Sequence, residues 1–411
     1  MLFGILSYMR NHGRKRKCIL SLFLLVNAFS WYFMTYSVIH SIVQKFGEGS
    51  FKALCLSLGY PLSIIISAIL GAIFLGSARK TRFFYIWILI GVMASASSAT
   101  LSGIFFEVDF IVVIFLGLSL GLGMPSLLNF FSEVTNIENR GKISGLVLFA
   151  TSISTTIFAI VKLALNQILY ALFITCWRGW SLLPIFFVNG YLVEHERQKR
   201  STNHFIDFIH NRTFLLYFSA WLMFTLVDGF GANITAFHGR NFYNSFKSVE
   251  LIMASLSALI SGVLSDVIGR KRVITLGFVS LGLAYAILGL IPTEWVSWFL
   301  FFIISGFAIG SLWTLFTMVI WGEVAERQIE KYYALGEAPY FLAGVISLVF
   351  APITSFVPQT SAFSLAALFL FLAVVPLMFA PETLPEKTLR ERELRIYIER
   401  AKRIRERFTK G

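Results

Sequence analysis

The chain has 411 residues, 57% of them hydrophobic and 14% charged, with a formal net charge of +13. Soluble domains run about 45–50% apolar and about 25% charged, so a single soluble domain is excluded, as 43 Phe and 9 Trp also argue. Three cysteines in apolar settings (Cys18, Cys55 and Cys176) exclude a disulfide framework or a cysteine-built zinc site.

Twelve apolar stretches of roughly 20 residues, long enough to cross a bilayer as helices, are predicted in chain order. They fall near 18–43, 51–76, 83–105, 109–131, 143–165, 179–193, 213–237, 250–267, 273–292, 295–322, 332–356 and 362–380. Lipid leaves exposed backbone groups without partners, so the spans are helices. The ten-residue alternation of a membrane barrel is absent. The sixth span reads short, with a turn predicted at Trp177-Arg178-Gly179-Trp180 or an earlier start within 166–178. The basic run Arg14 to Lys17 leads into a long apolar stretch without a small-residue cleavage site, which predicts an uncleaved first span.

Basic residues set the orientation. With the N-terminus in the cytoplasm, 29 of the 35 Lys and Arg fall in cytoplasmic segments. Five fall outside (Lys45, Lys52, Arg178, Arg240 and Lys247), and Lys162 lies within a span. The positive charge is therefore read as an orientation signal, which displaces nucleic-acid binding. Both termini are predicted to be cytoplasmic. The compact loops and the lack of organellar targeting fit a plasma membrane.

An internal repeat follows. Residues 69–82 resemble 260–272, and 127–134 resemble 317–324, at offsets of 191 and 190. Six spans per repeat predict two six-helix bundles of parallel topology, related by an axis along the membrane normal. The predicted parts are an N-terminal bundle at 1–193, a cytoplasmic linker at 194–212, a C-terminal bundle at 213–381 and a basic tail helix at 382–411. The tail pattern suits anionic lipid.

Residues 262–272 carry Gly262, Asp266, Gly269, Arg270, Lys271 and Arg272 in one loop motif. The first-half copy has Leu75 at the Asp position but keeps Arg79 and Lys80. Glu133 is followed by Arg140-Gly141, and Glu323 by Glu330 at the matching position. Pro381-Glu382-Thr383 follows the last span. In these motifs the chain resembles the major facilitator superfamily of secondary transporters, loosely the sugar and organic-ion porters. The paired glutamines that sugar porters carry on helix 7 are missing. The resemblance implies the twelve-helix fold and alternating access. It also implies a cytoplasmic gate in which Arg270 and Lys271 pair with Glu323, and Glu133 and Arg140 form the first-half counterpart. The plainer reading is that these charges only set topology.

The seventh span places Asp228 within the bilayer. An intramembrane carboxylate costs about 2.5–3.5 kcal/mol to insert and is by default a functional-site hypothesis. Trp221, Thr225, Asp228 and Thr235 share one helical face, predicted to line a central cavity, and Gly229 and Gly231 are predicted to let the helix break. Asp228 is assigned a proton or a cationic group. The plainer reading is a buried Asp satisfied by a neighbouring helix.

Glu337, on the eleventh span, faces either the cavity or the headgroups. Trp31, Tyr32, Tyr36, Trp313 and Tyr340 are candidate solute contacts, although most membrane aromatics pack against helices or lipid. Lys162 is predicted to snorkel.

The expectation is an all-α membrane protein that moves a small organic solute, coupled to protons, as a monomer. No enzymatic site, metal site or cofactor is expected, because the six His are scattered and no phosphate loop or nucleophile motif occurs. A facilitative uniporter and a non-transporting sensor are the alternatives.

Overall fold

The computed structural model describes residues 2–47, 49–74, 80–101, 105–188, 210–326 and 328–385, with positions 390, 394 and 398. Most of the predicted linker and tail, Arg79 and the side chain of Lys80 lie outside the described residues.

The described chain is helical and has twelve helices long and apolar enough to span a membrane. In the first half these are α1 (Lys15–Gln44), α2 (Phe51–Phe74), α3 (Arg82–Thr100), α4 (Phe106–Val134), α5 (Ile137–Ala164) and α6 (Gln167–Ile185). In the second they are α7 (Arg212–His238), α8 (Ser245–Ile268), α9 (Arg270–Leu290), α10 (Trp295–Val324), α11 (Ile329–Phe356) and α12 (Gln359–Phe379).

Local chemistry sets several ends. The side chains of Asn166 and Asn211 cap α6 and α7 by accepting from the backbone N–H of Leu169 and Phe214, each at 2.9 Å. Between α8 and α9 the chain turns at Gly269, whose φ of +102° excludes most other residues.

Within the halves α2 packs on α4, α3 on α6, α8 on α10 and α9 on α12; between them α5 packs on α8 and α2 on α11. The α5–α8 contact is close because both helices present glycine: a Cβ on Gly262 would stand 2.5 Å from the carbonyl oxygen of Gly141. Aliphatic side chains such as Leu163, Ile66 and Leu368 cover the outer surface, as lipid-facing positions do.

Several boundaries differ from the predictions, each for a packing reason. The predicted turn at residues 177–180 is helical, and Arg178 lies buried inside α6 instead of in an outer loop. The helix that contains α8 already begins at Arg240, so Lys247 is helical and not in a connection. Gly229 and Gly231 do not break α7, which is continuous; Gly231 instead leaves room for the Tyr285 hydroxyl. Irregular stretches lie in other helices: α4 is interrupted at residues 122–123, α10 contains a π-turn over Phe316–Ile320, α11 ends in a 3-10 stretch over Ala351–Phe356, and α6 and α12 turn at Ser181 and Ala373. Lys162 does not snorkel freely; its ammonium donates to the Ser37 hydroxyl at 2.6 Å and ties α5 to α1.

Candidate functional site

Between the halves a cavity encloses about 70 Å³. α1 contributes Phe29 and Tyr32, α2 Ile64, Ile65 and Ala68, and α4 the stretch around Leu120 to Leu128. α10 contributes Trp313 and Thr317, and α11 Tyr333, Glu337, Tyr340 and Phe341. Among the described residues the wall is aromatic and aliphatic, with Glu337 as its one charged group. The rings of Trp313 and Tyr340 meet edge to face at 4.7 Å, and those of Tyr32 and Phe341 at 6.1 Å across the two halves.

Glu337 is held by α10. Its Oε1 accepts from the indole N–H of the fully buried Trp321 at 2.9 Å. Trp321 directly follows the π-turn, and Thr317, within that turn, lines the cavity. Such turns occur frequently at functional sites.

Of the predicted solute contacts, the cavity wall brings together Tyr32, Trp313, Glu337 and Tyr340. It does not include Trp221, Thr225, Asp228, Trp31 or Tyr36. Trp221 is stacked between Phe224 at 5.2 Å and Phe316 at 4.8 Å, inside the second half. The Thr225 hydroxyl donates to the Leu222 carbonyl at 3.0 Å. The periodicity groups these residues on one face, but that face packs on α9 and α10. Trp31 lies on the other side of α1, where its N–H donates to the Ser95 hydroxyl at 2.8 Å. Tyr36 is exposed.

Asp228, half-buried, faces Lys247 and Glu250 of α8. Lys247 and Glu250 form an ion pair, and Glu250 Oε1 also accepts from the Ser305 hydroxyl at 2.6 Å. Sequence reading missed Glu250, which sits in an apolar run without a motif around it.

At the end of the bundle where α5, α9 and α11 begin, here termed the basic end, a network joins the halves. Asp266 accepts from the backbone N–H of Gly141 at 3.1 Å and Lys142 at 2.8 Å, and pairs with Arg270 at 2.7 Å. Glu323 is almost fully buried; Arg140 at 3.5 Å and Arg270 at 3.4 Å share its Oε1. The Thr383 hydroxyl donates to its Oε2 at 2.7 Å. Glu382 accepts from the first N–H groups of α9, Arg270 at 2.8 Å and Lys271 at 3.1 Å, where a helix start favours a carboxylate. Asn129 donates to Glu330 at 2.7 Å, a further bond across the halves.

Two expected gate contacts differ. The Lys271 ammonium does not pair with Glu323; it donates to the carbonyls of Met378 and Ala380, each at 2.9 Å. Glu133 is exposed, while Arg140 reaches Glu323 in the opposite half. Arg272 begins α9 beside these groups but enters none of the named bonds. Glu382 and Thr383 belong to this network, and the Pro-Glu-Thr element was the signal for them.

Arg178, predicted as an outer-segment charge, was not singled out as an interior one. It is fully buried, with its guanidinium 4.2 Å from the Trp87 ring centre and 4.9 Å from that of Trp31. Its Nη1 donates to Asn27 at 3.0 Å. Two indole faces and one amide replace water around the cation.

Residues 213–407 match the family model described as the Major Facilitator Superfamily. Over that second half the chain is a member of the major facilitator superfamily. Solved structures extend the likeness of fold over nearly the whole chain. The human organic anion transporter MFSD10 (TETRAN) is 12% identical, with a TM-score of 0.65 over 89% of this chain and 99% of that one. The proton:xylose symporter XylE bound to 6-bromo-6-deoxy-D-glucose is 14% identical, with a TM-score of 0.66 over 91% and 97%. FucP in the outward conformation is 11% identical, with a TM-score of 0.68 over 89% and 99%. At these identities the likeness speaks to fold alone. No curated protein matches the chain by sequence. As a major facilitator superfamily protein the chain is a multi-pass membrane transporter of small solutes and not an enzyme.

Proposed function

We propose that the protein is a proton-coupled secondary transporter of a small organic solute, resident in the plasma membrane with both termini in the cytoplasm, and that it works by alternating access. Glu337 carries this reading. It stands on the wall of an otherwise uncharged cavity between the halves, bonded only to a neutral indole among the described residues. A lone carboxylate suits a proton; a metal cation collects six or more oxygen ligands, which this wall lacks.

About 70 Å³ is far below the roughly 300–1,000 Å³ of sites for organic ligands, so the solute enters as the halves part. The basic end, cytoplasmic in this reading, is latched by Asp266, Arg140, Arg270 and Glu323, and the bundle loads from the opposite side. Breaking that latch opens the cavity to the cytoplasmic side. Asp228, with Lys247 and Glu250, adds a second titratable group to the same half.

A thermal-shift screen of purified protein against sugars, organic cations, organic acids and drugs identifies the solute class. Uptake of the hit into vesicles is then measured with and without an imposed pH gradient. The reading expects uptake to follow the gradient; uptake indifferent to it would make the protein a facilitator.

A further inference from the structure

The geometry points to a monovalent organic cation as the solute: the cavity between the halves is an aromatic box closed by one carboxylate. This deepens the proposed reading of the same cavity and rests on it. Tyr32, Trp313, Tyr340 and Phe341 present rings from both halves, with Trp313 edge-on to Tyr340 at 4.7 Å and Tyr340 at 5.2 Å from Phe341. Glu337 precedes Tyr340 and Phe341 by three and four residues, so the carboxylate and both rings share one helical face.

The carboxylate is poised for a ligand. Trp321 occupies Oε1, and no described residue bonds Oε2. No Lys, Arg or His lines the cavity among the described residues, so the negative charge has no protein counter-ion on that wall.

Each solute class meets this wall differently. An anion meets an uncompensated carboxylate and ring faces that are themselves negative. A sugar needs partners for several hydroxyls; the Thr317 and Tyr333 protons are already given to the Trp313 and Met318 carbonyls at 2.6 and 2.9 Å, which leaves the wall fewer donors for a sugar, namely Tyr32, Tyr340 and the Trp313 indole. A cation gains from both features, the ring quadrupoles and the carboxylate. One carboxylate holds either a proton or the cation. Their occupancy is therefore exclusive, and the exchange is proton for organic cation.

The test is calorimetric binding to the full-length protein in detergent micelles. Phenyltrimethylammonium is compared with tert-butylbenzene, of the same shape without charge, and with benzenesulfonate. The cation should bind at least about tenfold more tightly than either, a difference of about 1.4 kcal/mol. Glu337→Gln should remove that preference, and Trp313→Leu should weaken cation binding severalfold with the carboxylate intact. Equal binding of the neutral or anionic probe to the wild type, or no cation binding by it, overturns the inference without recourse to a variant. So does undiminished cation preference in Glu337→Gln. The assay needs no gradient. Cation-selective binding in a protein whose flux ignores pH would sink proton coupling and keep the site; gradient-driven flux without cation preference would do the reverse.

Discussion

The two halves share one architecture but place their buried charge differently relative to the cavity. In the first half the cation Arg178 is fully buried, closed off between Trp31 and Trp87; Asp109 and Arg140 are buried there too, and none of the three lines the cavity. In the second half the interior charges include carboxylates: Glu337 on the cavity wall, Asp228 and Glu250 behind it, and Glu323 at the latch. The helices α4 and α10 repeat the contrast. Glu133 at the end of α4 is exposed, whereas Glu323 at the end of α10 is buried among two arginines and a threonine. A duplicated fold needs only one half to carry the titratable switch. The other can hold its charge as fixed scaffolding.

The contrast is open to attack in order of expected effect. Asp266→Asn removes the charge that gathers two N–H groups of α5 and the Arg270 guanidinium. Charge-assisted bonds of this kind contribute about 1.5–3 kcal/mol each, so uptake should fall more than about tenfold while surface expression holds. Normal uptake in a surface-biotinylation-matched assay would retire the latch.

Arg178→Ala tests the scaffold side. It leaves a void between two indoles and frees Asn27, so the melting temperature should drop by at least about 5 °C. The solute KM should stay within about twofold, because Arg178 does not touch the cavity. A large KM change at unaltered melting temperature would put Arg178 in the solute path and erase the division between the halves.

Asp228→Asn tests whether the second half has one switch or two. Uptake should fall severalfold yet still follow the pH gradient, since Asp228 stands off the cavity wall. Gradient-independent uptake in this variant would move the coupling site from Glu337 to the α7–α8 cluster. The smallest effect is expected from Thr383→Val, which leaves Glu323 with its two arginines and loses one hydrogen bond. Uptake should change by about threefold or less, in line with about 0.5 to 1 kcal/mol for such a bond.

How much of this was legible in the sequence follows from what each feature depends on. The twelve spans rest on composition and length, which lipid reads directly, so the apolar runs carry them. The positions that failed depend on neighbours. Arg178 interrupts an apolar run and resembles a turn; only the faces of Trp31 and Trp87, both remote in sequence, make a helix possible there. Trp221 and Thr225 do share a face, but periodicity does not say whether that face looks at a cavity or at α9 and α10. Glu337 was placed on the correct helix with its direction open, and the direction comes from Trp321, which the π-turn of α10 delivers. Lys247 was read as a loop charge because the helix containing α8 starts sooner than its apolar stretch.

The account turns on Glu337 as the group that exchanges a proton for solute. The most direct measurement is proton movement on addition of the solute identified by the screen, followed with a pH-sensitive dye inside vesicles holding matched amounts of wild type and Glu337→Gln. The wild type should give a solute-evoked pH change and the variant none. An equal pH change in both would contradict it.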